Sequence, residues 1–275
     1  MRLGYHTITW GGVVGDATGV TSVKDLYYRA NGSMAQAIED IATVGYEGVE
    51  MFEGNVADYA DRPEELRQLL AQSNLELVSV YSGANFIFAD ILPEELYRLR
   101  RVADLAARFG AKHLVVGGGA RRAGGTSDSD YDRLSEGLNL VIEIAQSHGL
   151  TASYHPHLGT IAESPEELDK VLQRSPIAFC PDTAHLAAGG GDPAELIRRY
   201  SDRIHLVHLK DFRPDPFAFL PLGRGVLDMV DIIAAVRESG YDGWLLVELD
   251  SYDGDPREAA ETSKSCLNRL LTSSR

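Results

Sequence analysis

The stretch Gly149-Leu150-Thr151-Ala152-Ser153-Tyr154-His155-Pro156-His157-Leu158-Gly159-Thr160 reads as a turn, a short apolar strand and two histidines at the strand's end. Side chains alternate faces along a strand, so His155 and His157 are expected to point the same way. A single histidine in such a place is more often a satisfied polar residue than a ligand. Three later strand-like runs, however, also finish on ligand-type residues: Ile177-Ala178-Phe179-Cys180-Pro181-Asp182, Ile204-His205-Leu206-Val207-His208 and Trp244-Leu245-Leu246-Val247-Glu248. Four strand ends of this kind form a constellation.

Working outward, Leu3 to Ile8, Gly48 to Phe52, Leu75 to Tyr81 and His113 to Gly117 read as further strands, which makes eight. Helical patterns lie between them. The clearest has Leu134, Leu138, Val141, Ile142 and Ala145 on one stripe and Gly149 as its stop. Others run over Ser33 to Val44, Pro63 to Ser73, Pro93 to Phe109, Pro165 to Arg174, Pro193 to Tyr200, Met229 to Ser239 and Pro256 to Leu271. Ser164-Pro165-Glu166-Glu167, Asp192-Pro193-Ala194-Glu195 and Asp255-Pro256-Arg257-Glu258 each offer an N-cap, a proline at the first helical position and a glutamate placed to close a capping box. Gly45-Tyr46-Glu47-Gly48 and Gly240-Tyr241-Asp242-Gly243 repeat one helix-to-strand turn. Strict β-then-α alternation predicts an α/β fold, a closed (β/α)8 TIM barrel in which residues 1–275 form a single domain. An open doubly wound sheet is the competing architecture, but no Gly-x-Gly-x-x-Gly run follows the first strand.

The chain has 275 residues, which suits one barrel of about 250 residues. Its 41 acidic and 26 basic residues leave a net charge of -15, so nucleic acid is not an expected partner. Cys180 and Cys266 lie far apart and suggest no disulfide framework, which points to a reducing cytoplasm. Met1 leads directly into a strand without a targeting pattern, and no apolar run approaches the roughly 18 residues of a membrane span. The oligomeric state is left open, a homo-oligomer included.

Carboxyl ends of parallel barrel strands converge on one face, so residues distant in sequence meet there. His155 and Asp182 are 27 residues apart, and Asp182 and His208 are 26 apart, one βα unit each; Glu248 follows 40 residues later. Two imidazoles with two carboxylates suit Mn2+, Co2+, Zn2+ or Mg2+ with room for substrate oxygens. The alternative is a buried ion-pair network, a costly arrangement at a barrel mouth. His185 follows Asp182 by three residues, and Lys210 shares the inward parity of His208, where a metal is expected to lower its pKa for acid-base work. Glu50 ends the second strand and is read either as orienting a ligand or as binding substrate, with Glu53 beyond it solvated. His6 and Trp10 close the first strand, Trp10 as an apolar wall for a sugar ring or as core. Gly117 to Gly125 is a glycine-rich loop without a phosphate-loop ending, better suited to a mobile lid. Among Arg121, Arg122, Arg213 and Arg224, Arg213 is placed best to meet substrate.

The runs Tyr154-His155-Pro156-His157-Leu158-Gly159-Thr160, Asp182-Thr183-Ala184-His185, His208-Leu209-Lys210-Asp211 and Trp244 to Glu248 resemble the xylose-isomerase-like TIM-barrel superfamily of sugar isomerases and epimerases. Within it, the Tyr-His-Pro-His-x-Gly-Thr run and Arg203-Ile204 are most similar to keto-inositol (inosose) dehydratases. Ketose 3-epimerases of the superfamily carry Glu where His155 stands, which argues against a two-glutamate mechanism here. The resemblance implies a metal-dependent enzyme, Mn2+ first, that enolises a keto-polyol or keto-sugar and then loses water. Glu248, His157 and Lys210 are the candidate bases, and His185 and Lys210 the candidate acids. Isomerisation, 3-epimerisation or expulsion of the aglycone of a 3-keto-glycoside are alternatives at the same site. A metal-dependent endonuclease sits poorly with the charge, and a silent sugar-binding barrel is the remaining reading.

Overall fold

The computed structural model describes residues 1–11 and 28–272, and among them eight parallel strands alternate with helices. The barrel strands are β1 (Arg2–His6), β2 (Gly48–Phe52), β3 (Glu76–Gly83), β4 (His113–Gly117), β5 (Thr151–His155), β6 (Ala178–Phe179), β7 (Val207–Leu209) and β10 (Trp244–Val247). They hydrogen-bond in the order β6-β5-β4-β3-β2-β1-β10-β7. Single parallel bridges, Phe179 to Ile204 and Asp182 to His208, join the two edges and close the ring. The expected (β/α)8 barrel is therefore the observed fold.

Helices α1 (Met34–Val44), α3 (Pro63–Gln72), α4 (Leu92–Arg108), α5 (Asp128–Ser147), α6 (Pro165–Arg174), α8 (Pro193–Arg199), α9 (Met229–Glu238) and α10 (Pro256–Thr272) lie where the periodicity put them, within a few residues at most boundaries. For α5 the stripe set no start, and the helix begins at Asp128, six residues before Leu134. Local chemistry explains the ends. Ser33 Oγ accepts the Gln36 N–H at 3.2 Å to start α1, and Gly45, at φ +90°, ends it in the left-handed conformation. Of the three expected capping boxes only Ser164/Glu167 is complete; Glu195 instead pairs with Arg199, and Asp192 alone caps α8 through Ala194 and Glu195.

Three features were not expected. The sixth strand is cut to two residues because Pro181 has no N–H for the ladder, and its carbonyl instead accepts from His208 N at 2.9 Å. Short helix α2 (Glu53–Ala57) starts immediately after β2, and short helix α7 (Thr183–Ala188) starts after Cys180, Pro181 and Asp182 beyond β6. An antiparallel hairpin, β8 (Asp211–Pro214) and β9 (Phe217–Leu220), is inserted after β7 and turns through a cis Asp215–Pro216 peptide. No helix among the described residues is long and apolar enough to cross a membrane. Cys180 and Cys266 are both buried and free.

Candidate metal centre

Each of the four ligand candidates reaches the centre from a different strand end. His155 is the last residue of β5, Asp182 follows β6 and caps α7, His208 lies in β7, and Glu248 follows β10. One donor atom from each falls within 4.8 Å of all the others. His155 Nε2 is 3.6 Å from both Asp182 Oδ2 and Glu248 Oε2, and His208 Nδ1 is 2.5 Å from Glu248 Oε2. Asp182 Oδ1 accepts the N–H groups of Ala184 and His185 at 2.9 and 2.8 Å, which leaves Oδ2 facing the cluster.

The residues fit a divalent cation. Buried polar atoms are nearly always hydrogen-bonded, yet Asp182 Oδ2 and both nitrogens of His155 lack a hydrogen-bond partner and all four residues are enclosed. An ion-pair network satisfied within itself would not leave Asp182 Oδ2 and His155 Nε2 facing each other without a hydrogen bond. Burial pushes the Asp182 and Glu248 carboxyls up, but Lys210 and the neighbouring imidazoles hold both below the ordinary carboxylate range, so they are anionic.

Lys210 stands beside this set, fully buried, as strand parity predicted. Its Nζ donates to Glu248 Oε1 at 3.0 Å and Asp250 Oδ1 at 2.9 Å, lies 3.4 Å from Asp182 Oδ2, and meets His185 Nε2 at 3.1 Å. Without an ion, burial lowers the Lys210 pKa but Asp182, Asp250 and Glu248 together raise it, so Lys210 is an ammonium there. Asp250 escaped the sequence reading, although its spacing of two from Glu248 put it on the same inward parity. It is buried, with Oδ2 unpartnered.

An ammonium donates to His185 Nε2, so the proton of that neutral ring sits on Nδ1, which is buried without a partner. His157, just past β5, stacks on His185 with ring centroids 3.7 Å apart. Its Nδ1 lies 2.8 Å from the Leu158 carbonyl, so Nδ1–H donates and Nε2 keeps the lone pair. Burial and then the adjacent His155 push His157 down to about 4, and it is neutral near pH 7.

Other predicted residues are placed differently. Trp10 is core: it packs edge-on to Tyr5 and donates Nε1–H to Asp40 Oδ2 at 2.8 Å. The aromatic surfaces at the site are instead Tyr81, whose ring is 5.2 Å from His155, and Phe219, 5.0 Å from His185 and 4.8 Å from Lys210 Nζ. Arg213 is exposed on β8 and donates to the Pro216 carbonyl of its own hairpin at 3.0 Å, outside the cluster. Glu53 is buried rather than solvated, because Arg98 and the Tyr28 N–H hold it beneath α4. Arg121 and Arg122 pair with Glu167 and Asp130, and tie the glycine-rich loop down. His6 and Glu50 are fully buried and adjoin His208, Glu50 Oε1 standing 3.1 Å from His208 Nε2.

Comparison with known proteins places this geometry in context. The family model described as xylose isomerase-like TIM barrel matches residues 38–270. An inosose dehydratase of Geobacillus kaustophilus (strain HTA426) is 32% identical over 98% of this chain and 94% of its own length. An inosose dehydratase of Lacticaseibacillus casei is 29% identical over 86% of this chain and 89% of its own. A crystal structure of the IolI protein with a bound zinc atom superimposes with a TM-score of 0.78 over 99% of both chains at 14% identity, a likeness of fold.

Proposed function

The chain belongs to the xylose isomerase-like TIM-barrel family, and from that premise we propose that it is a divalent-metal-dependent dehydratase of a keto-polyol, with a keto-inositol as the substrate suggested by the names of its relatives. One observation carries the reading: the buried convergence of His155, Asp182, His208 and Glu248 beside the Lys210–His185 contact. Mn2+ is the first choice of ion, with Co2+, Zn2+ or Mg2+ as alternatives, since carboxylate and substrate oxygens would make up most of the shell. Bound by those four residues, the ion would polarise a substrate carbonyl and acidify the adjacent carbon.

The chain's own groups divide the proton work. Glu248 is a poor base because Oε1 accepts from Lys210 and Oε2 adjoins both ligand histidines. Lys210 is assigned as a proton donor because its Nζ faces three acceptors, Glu248 Oε1, Asp250 Oδ1 and His185 Nε2. His157, neutral and with Nε2 free, is the base assigned here. On the other side of the stacked pair, His185 Nδ1–H donates its proton to the departing hydroxyl, and Lys210 resupplies Nε2. One C–H and one C–O bond break, and one water leaves. Phe219 beside His185 and Tyr81 beside His155 line the centre with apolar surface, which would limit the water around it.

Incubation of the Mn2+-loaded protein with a keto-inositol in deuterated water tests this. Formation of an enone, with deuterium at the carbon next to the carbonyl of recovered substrate, is the expected result. His157→Asn should abolish exchange, whereas His185→Asn should keep exchange and slow dehydration about 100-fold or more. Exchange without water loss in the unsubstituted protein would indicate isomerisation or epimerisation, and no exchange with any keto-polyol or keto-sugar would remove the enolisation mechanism.

A further inference from the structure

Glu50 is fully enclosed inside the barrel on β2, separated from β7 by the two strands β1 and β10 in the sheet order, and it reaches the back of a ligand histidine across the interior. We propose that Glu50 is a positioning residue for the metal centre: its carboxylate receives His208 Nε2–H and thereby holds His208 Nδ1 toward the ion. The proposal rests on reading His155, Asp182, His208 and Glu248 as metal ligands.

The donors around Glu50 are specific. Oε1 lies 3.1 Å from His208 Nε2 and 3.4 Å from His6 Nε2, and Oε2 accepts the Ser79 hydroxyl. His6 Nδ1 accepts the Ile8 N–H at 2.9 Å, so the proton of neutral His6 is on Nε2, facing Glu50. The approach of His208 Nε2 is short though oblique, and among the described residues neither that nitrogen nor Glu50 Oε1 has a hydrogen-bond partner elsewhere. Without an ion His208 Nδ1 hydrogen-bonds Glu248 Oε2; as a metal ligand the ring would be neutral, with one proton for two nitrogens. With that proton on Nε2 beside a carboxylate, the lone pair is on Nδ1, the atom that stands 2.5 Å from Glu248 Oε2 within the ligand cluster. Glu50 is the middle residue of β2 and not its end as expected, and both its oxygens are committed behind the ligand, away from substrate. Ser79 on β3, Glu50 on β2 and His6 on β1 form a buried brace, so strands that supply no ligand orient one that β7 supplies.

The test is metal affinity, measured with Zn2+ alone by competition with a chromophoric chelator on the full chain. Glu50→Ala should weaken Zn2+ binding about 10- to 100-fold, Glu50→Gln less, and Ser79→Ala least, the order in which the brace is dismantled. In the zinc-loaded protein, nitrogen NMR should show His208 ligated through Nδ1 with a slowly exchanging Nε2 proton, lost in Glu50→Ala. A purely structural role would lower the melting temperature of the metal-free variants and leave the zinc dissociation constant within about twofold, which overturns the proposal. Should Glu50→Ala not fold, Glu50→Gln and Ser79→Ala decide it by the same measurement. Failure of the unsubstituted protein to bind Zn2+ or Mn2+ would remove both the proposal and the metal reading, whereas tight binding untouched by Glu50 removes the proposal alone.

Discussion

Asp182 does two jobs with one carboxylate, and the two can be separated. Oδ1 caps α7 through the Ala184 and His185 N–H groups, while Oδ2 faces the ligand cluster. Asparagine caps a helix about as well as aspartate but lacks the charge, so Asp182→Asn should fold with little loss and fail to retain a divalent ion. Asp182→Ala should lose the ion and a further stability of about 1 kcal/mol through the missing cap. Melting curves of the metal-free proteins together with metal analysis check both halves; an asparagine variant that keeps a full complement of metal would remove Asp182 from the ligand set. At this scale the chain was legible where strand parity applies: His155, Lys210 and His208 all face inward as the alternation requires. Trp10 proved to be core, and Arg213 points away because it lies on β8 of the inserted hairpin, outside the barrel strands whose alternation sets which way a side chain turns.

At the scale of elements, the β8–β9 hairpin is the part that local patterns hid. Asp211 locks its base: its carboxylate accepts the N–H groups of Phe212, Gly223, Gly225 and Leu227 at 2.9, 3.0, 2.9 and 3.2 Å. A side chain at Gly225 would meet that carboxylate, since an added Cβ would lie 2.2 Å from Asp211 Oδ1. Removal of the acceptor leaves these amides unpaired, each such loss costing about 1–3 kcal/mol where the group is buried. Asp211→Ala should therefore destabilise the protein by a few kcal/mol and speed hydrogen exchange across 212–227, with Phe219 no longer held against Lys210. Exchange no faster there than in the unsubstituted chain would contradict this anchoring. The short sixth strand has an equally local cause in Pro181, which was visible in the sequence, but its remedy was not. The ring closes through bridges to Ile204 and to His208 of β7, and bridges between residues 25 and 26 positions apart have no signature in either segment.

For the molecule as a whole, buried neutral histidines make acid the weak side of the stability profile. His113, at the start of β4 and away from the metal centre, is pushed down to about 4 by burial and then by His205, from the usual 6.5. The unfolded chain takes up this proton as pH falls through 6.5 while the folded chain does not until about 4. Stability present above pH 6.5 is thus lost progressively across that window, by up to about 3 kcal/mol for this residue alone. Urea unfolding at pH 7 and pH 4.5 should show a smaller acid loss in His113→Asn than in the unsubstituted protein; equal losses would mean that His113 titrates normally. The sequence by itself determined the number and order of the βα units, and with them the rim on which His155, Asp182, His208 and Glu248 gather. Those features follow from hydrogen-bonding periods and caps that act within a few residues. Only the tertiary structure decided that Asp250 would flank Lys210, that Glu50 would stand behind His208, and that Phe219 would pack against His185 and Lys210. Such contacts depend on barrel closure, strand register and the path of an inserted hairpin, which bring together residues whose separation in the chain carries no local physical trace.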